Sequence, residues 1–163
     1  MRLLLRQAVH RAVVDGIEIA ASPDTPDREP WLWQVRVLDR ILDGEPVPAD
    51  RSRDRIGLPC RGSSAVLDVL AHGKSITTTT ELLTVHEPMK VTRDTEEIAV
   101  LIVGRQSVLV EGRHRLHELD ALVLEGDDPI SFEIAPGEDE THEVPVGLVR
   151  LRSTTTKPIS WVP

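Results

Sequence analysis

Residues Ala99–Ile134, AVLIVGRQSVLVEGRHRLHELDALVLEGDDPISFEI, decide the fold class. Gly104, Gly112 and Gly126 divide the run into four short apolar segments, and Asp127, Asp128 and Pro129 turn the chain into the last of them. Val108 and Val110 alternate with Ser107, Leu109 and Glu111, and Ile130, Phe132 and Ile134 alternate with Ser131 and Glu133. A period of two marks strands with one buried face. Glycine at each reversal supplies the positive φ that hairpin turns ask for. The stretch predicts a compact antiparallel meander of four strands.

The same alternation recurs on either side. Ile17–Ala21 is a short strand, followed by SPDTPDREP, whose prolines and charges make an exposed loop. Trp31, Trp33, Val35 and Val37 alternate with Leu32, Gln34, Arg36 and Leu38 in a strand bordering the core. Asp43-Gly44 is a turn, and EPVPADRSRDR reads as a second polar loop. Ser64–Ala71 fits either a capped helix or a strand, and strand is preferred between its flanking glycines. The four threonines of Ile76–Val85 favour strand, as do Met89–Thr92 and Pro145–Arg152. Met1–Val14 fits a strand or a short helix equally, and Trp161 in the tail is placed to fold back over one end. Many short strands with frequent turns predict an all-β sandwich or barrel. The chain is expected to be one domain over 1–163, with 153–163 as a C-terminal tail.

Composition narrows the function classes. With 163 residues the chain can fill one core. Only 2% of it is aromatic, so that core must be Val, Leu and Ile. A formal net charge of -8 argues against a nucleic-acid partner, because no broad surface can displace phosphate counterions. No apolar run approaches the roughly 20 residues of a membrane span. Arg2, Arg6, His10 and Arg11 interrupt the apolar start in a way unlike a signal peptide. One cysteine, Cys60, excludes an internal disulfide, and a cytoplasmic location is expected.

The run from Gly104 to Pro129 resembles the second half-motif of a cupin barrel: glycine, alternating strand, glycine, leucine, acidic turn, strand and Gly-Asp turn. More of the chain is similar to the HutD (histidine-utilisation) family of cupins. MRLLLR, Glu18–Pro23, Trp33, Asp43-Gly44, Asp54-Arg55, Gly62, His86-Glu87-Pro88-Met89 and Arg93-Asp94 follow that family's order. Gln34 stands where the family has Arg, Arg36 where it has Ser, and the family's Asp-x-Asn-x-Met segment has no counterpart. The resemblance implies an antiparallel cupin-like (RmlC-type) barrel or jelly roll that holds no metal. Some members of the family bind small acylated amino acids and affect histidine catabolism.

Candidate chemistry lies in a few side chains. Metal-dependent cupins need His-x-His, which is absent. His114 and His117 fall on opposite faces of a strand, or in a charged hairpin, and His142 sits in an acidic loop. Neither a metal nor another cofactor is expected. His72 and His86 stand at strand ends, where imidazoles suit general acid–base work or are simple turn residues. Trp33, Gln34, Arg36 and Arg55 are the candidate ligand-binding set. Gln34 and Arg36 leave two orientations open: Arg36 points into a barrel, where it must be paired or must bind an anionic ligand, or both point outward to solvent while Trp33 points in, which alternation supports. Arg55 is expected to pair with Asp54 or Asp50. Cys60 has no histidine near it in sequence and reads as inert. Two function classes follow: a metal-free module binding a small organic ligand such as a carboxylate, or a cofactor-independent isomerase, cyclase or dehydratase. A homodimer is a third expectation, because sheet edges need a cover.

Overall fold

A computed structural model describes residues 3–22, 32–40, 46–138, 142–156 and 159. In chain order the strands among them are β1 (Leu3–Leu5), β2 (Arg11–Val13), β3 (Gly16–Ala21), β4 (Trp33–Leu38), β5 (Arg51–Cys60), β6 (Ser63–His72) and β7 (Ile76–Val85). They continue with β8 (Met89–Thr92), β9 (Glu97–Val103), β10 (Ser107–Val110), β11 (His114–His117), β12 (Ala121–Leu124), β13 (Ser131–Pro136) and β14 (Val144–Ser153). A single turn of 3-10 helix, Gln7–Val9, separates β1 from β2, so the opening segment is strand at both ends. No helix among the described residues is long and apolar enough to cross a membrane.

All paired strands run antiparallel, in three sheets. The middle sheet has the order β1-β12-β9-β14-β7 and buries both faces. Ile98, Val100 and Ile102 of β9, Val123 of β12 and Val149 and Leu151 of β14 enter one core. Their neighbours Ala99, Leu101, Val103, Leu122, Leu124 and Leu148 enter the other. A strand buried on both sides needs apolar residues at every position, which is why AVLIV and ALVL show no alternation. The first core is closed by the sheet β2-β3-β4-β6-β5, through Trp33, Val35, Val37, Leu67 and Val69. The second is closed by β11-β10-β13-β8, through Val91, Val108, Val110, Leu116, Phe132 and Ile134.

The predicted strands at Ile17–Ala21, Ser64–Ala71, Ile76–Val85, Met89–Thr92 and Pro145–Arg152 are present within a residue or two of their expected ends. Two sequence expectations are corrected. The stretch from Ala99 to Ile134 is five strands rather than a four-stranded meander, and it crosses between sheets: β9 and β12 lie in the middle sheet, β10, β11 and β13 in the outer one. Of its three crossings, the one from β11 back to β12 is made at Glu118–Asp120, where Leu119 takes φ 62 and its N–H donates to Val103 O at 2.8 Å. No glycine marks that corner. Gly112 and Gly126 do hold positive φ, but Gly104 does not. It is required for a different reason: a Cβ there would meet Pro59 O at 2.4 Å.

The second correction concerns EPVPADRSRDR. Its last five residues open the ten-residue strand β5. Arg51, Arg53 and Arg55 alternate with Ser52 and Asp54, so charges on both faces hid the strand. As an edge strand of its sheet, β5 also tolerates Pro59, whose missing N–H an inner strand would need. The expected loop Pro23–Pro30, Trp31, the Asp43-Gly44 turn and Trp161 lie outside the described residues.

Candidate functional site

Strand register assembles a charged row on the face of the first outer sheet that points away from its core. Arg11 of β2 is opposite Glu18 of β3, which is opposite Arg36 of β4. Arg36 is opposite Asp68 of β6, and Asp68 is opposite Arg55 of β5. Signs alternate across all five strands. Directly opposed unlike charges are the favourable cross-strand pairing.

At the centre of the row the Asp68 side chain is fully buried, and three guanidinium groups converge on it. Arg36 Nε and Nη2 both donate to Oδ2, at 3.0 and 2.5 Å. Arg55 Nε donates to Oδ1 at 2.6 Å, and Arg53 Nε lies 3.2 Å from the same oxygen. Beside this group Gln34 donates from Nε2 to Glu18 Oε2. The arginine side chains keep 10%, 12% and 23% exposure for Arg36, Arg53 and Arg55. They are thus largely desolvated. Planar forks of this kind match a carboxylate with two parallel N–H donors.

The sequence-predicted residues distribute unevenly. Gln34, Arg36 and Arg55 share this face, whereas Trp33, 1% exposed, is inserted in the first core with Val35 and Val37. Arg36 points away from Trp33 as alternation requires, and is nonetheless buried against Asp68. Arg55, expected to pair with Asp54 or Asp50, stands opposite Asp68 across the sheet and pairs with that carboxylate. His72 ends β6, with Nδ1 2.9 Å from Ser75 Oγ and Nε2 3.8 Å from Asp50 Oδ2. His86 follows β7, is 63% exposed, and lies 3.8 Å from Glu87 Oε1. The ten residues of β7 separate the two histidines by roughly 30 Å, so they serve no common site.

Arg53 and Asp68 were missed. Asp68 had a legible signal, a lone carboxylate within the apolar run AVLDVLA, which must be paired if buried. Arg53 had none, since the strand carrying it read as loop. His114 and His117 are exposed on β11, and His142 is exposed before β14. Among the described residues no group of three or more His, Cys, Asp or Glu side chains is placed to hold a metal ion. Cys60 is half-buried, and its thiol is pushed up to about 11, chiefly by desolvation and then by the Glu118 charge. At neutral pH it is a thiol and a poor nucleophile.

Among solved structures, the conserved protein of unknown function PA5104 from Pseudomonas aeruginosa PAO1 superimposes with a TM-score of 0.69 over 94% of this chain and 99% of its own, at 14% identity. HutD from Pseudomonas fluorescens SBW25 does so with a TM-score of 0.67 over 95% and 100%, at 13% identity. The chain has a HutD-like cupin fold. No family model matches it, and no curated protein matches it in sequence. At these identities the likeness extends to the HutD-like backbone and not to its side chains, so the chemistry of the arginine face must be argued from this chain alone.

Proposed function

We propose that this chain is a metal-free, HutD-like binding module for a small organic carboxylate, held on the face formed by Gln34, Arg36, Arg53 and Arg55. The convergence of three arginine forks on the buried Asp68 carboxylate is the observation that carries this reading. Buried ion clusters add little net stability, because desolvating the charges offsets their attraction. A sheet face built this way is therefore poorly explained by folding alone and well explained by recognition of a carboxylate. Acylated amino acids belong to the same ligand class. A thermal-shift screen of carboxylates tests it: a ligand at one hundred times its Kd should stabilise by about 2.7 kcal/mol. Arg55→Lys, which keeps the charge and loses the fork, should reduce that shift. Absence of stabilisation by any carboxylate, or a shift unchanged in Arg55→Lys, refutes the proposal.

His72 supports a second reading, that of a cofactor-independent enzyme. Its imidazole stands between the Ser75 hydroxyl and the Asp50 carboxylate and is part-exposed, an arrangement suited to proton transfer. On this reading the gene lies among biosynthetic genes, and His72→Ala lowers turnover without lowering the melting temperature. Equal turnover in His72→Ala rules the imidazole out. A homodimer is proposed on the strength of the ten-residue β7 that ends the middle sheet, and light scattering measures it directly.

A further inference from the structure

Most sheet edges among the described residues are guarded against pairing with another chain. β1 and β2 have three residues each, and β8 and β11 have four, with Lys90 on β8 and Arg115 on β11. β5 carries Arg51, Arg53, Arg55 and Pro59. Short length, charge and proline are the usual means of blunting an exposed edge. β7 has none of these: ITTTTELLTV runs for ten residues with one charge, Glu81, and neither proline nor glycine. It keeps an uninterrupted register with β14, and no described strand pairs with its other edge. β5 packs against β7 but takes its ladder from β6. Thr77, Thr79, Glu81, Leu82 and Thr84 are exposed.

The alternation of the ladder decides which backbone groups that edge offers. In an antiparallel pair, opposed residues exchange hydrogen bonds at every second position. Thr154 N donates to Ser75 O at 2.9 Å, in line with the register that sets Ser153 against Ile76. On the other side of β14, Gly104 N donates to Pro145 O at 2.8 Å, which commits the odd positions of β14 to β9 and its even ones to β7. The odd-numbered residues of β7 therefore bond to β14. The N–H and C=O groups of Ile76, Thr78, Thr80, Leu82 and Thr84 point the other way.

We infer, resting on the homodimer reading above, that β7 is where the two copies meet: it pairs antiparallel with β7 of a second copy across a twofold axis at Thr80, joining the two middle sheets into one. That axis sets Ile76 against Thr84, Thr78 against Leu82 and Thr80 against its own copy, so every outward donor and acceptor of the strand is matched. Thr79 then stands opposite Glu81 of the partner subunit, a hydroxyl facing a carboxylate. An axis at Glu81 would place two carboxylates directly opposite each other, which is unfavourable, and would leave Ile76 without a partner. An axis at Thr79 would leave Thr84 without one. The edge is self-complementary, as a twofold interface requires, and this favours a second copy over an unrelated strand.

Sedimentation equilibrium of the full chain should show a concentration-dependent dimer. Leu82→Pro deletes an outward N–H and no bond to β14, a change that an edge strand tolerates. It acts twice in a twofold interface, so the dimer should weaken about tenfold or more. Disulfide trapping in a Cys60→Ser background reads the register. Opposed residues between hydrogen-bonded positions have Cα atoms about 4.5 Å apart, within the range of a disulfide. Thr79→Cys mixed with Glu81→Cys should therefore oxidise to a crosslinked dimer, and neither variant should do so alone. A dimer whose strength Leu82→Pro leaves unchanged overturns the assignment, as does either single variant crosslinking as readily as the mixture; in both cases the homodimer itself stands. If Leu82→Pro does not fold, the mixed crosslink decides, and its absence overturns the assignment. A chain that is monomeric at every concentration overturns the homodimer and its interface together.

Discussion

Replacing Asp68 by Ala tests what the arginine face is for. The carboxylate is fully buried and receives two contacts from Arg36, one from Arg55 and one from Arg53. Deleting it takes away the shared counter-charge of three guanidinium groups that are at most 23% exposed. Breaking a buried ion pair from one side is unfavourable by about 3–5 kcal/mol. With a urea m-value of about 2 kcal/mol/M, the unfolding midpoint should fall by about 2 M at constant m. The complementary variant removes the whole cluster: Arg36→Met, Arg53→Met and Arg55→Met together with Asp68→Leu. If desolvation and attraction nearly cancel, that protein should unfold within about 1 kcal/mol of the parent, and should have lost its carboxylate response. A midpoint for Asp68→Ala within about 0.5 M of the parent refutes the energetic argument. An apolar quadruple variant as unstable as Asp68→Ala refutes the functional one, because the cluster is then a structural necessity.

Other perturbations read single features. Gly16→Ala should destabilise by about 1–3 kcal/mol in urea, because its Cβ would lie 2.1 Å from Val37 O, while Gly57→Ala, with nothing within 4 Å, stays within about 0.5 kcal/mol. Cys60 should alkylate slowly at pH 8 and about tenfold faster per pH unit until about 11, so rapid labelling at neutral pH contradicts its desolvated setting. Burial by itself raises the Asp120 pKa, but N–H donors from His117 and Gln7 and the Arg6 guanidinium outweigh it and hold the carboxyl below its usual value. Its contribution is complete above the unfolded pKa of about 3.9 and is lost as pH falls through the lower folded value. Asp120→Asn should therefore flatten the acid limb of a stability–pH curve below about pH 4, and an unchanged limb contradicts the assignment.

How legible each part was depends on how many faces of a strand are buried. β3 and β4 were placed by period-two alternation and β7 by its run of threonines, before any partner was known. β9 and β12 bury both, and their unbroken apolar runs were recognisable as strands while concealing which sheet each joins. The transfer from the outer to the middle sheet at Leu119 is made by an ordinary residue in a left-handed conformation, which residue type does not announce. The candidate face was harder, because it depends on register. Arg11, Glu18, Arg36, Arg55 and Asp68 are scattered over 58 positions of sequence and become one row only when five strands are paired. Only Asp68 betrayed itself locally, as a charge in an apolar strand. Its burial forces partners, its two cross-strand neighbours are Arg36 and Arg55, and β5 must then be a strand for Arg55 to stand opposite. Followed from Asp68 outward, buried-charge logic yields the strand that composition had disguised as loop. A carboxylate interrupting an apolar strand is thus the stronger sequence clue to this site than either candidate histidine, since an exposed turn histidine obliges nothing around it.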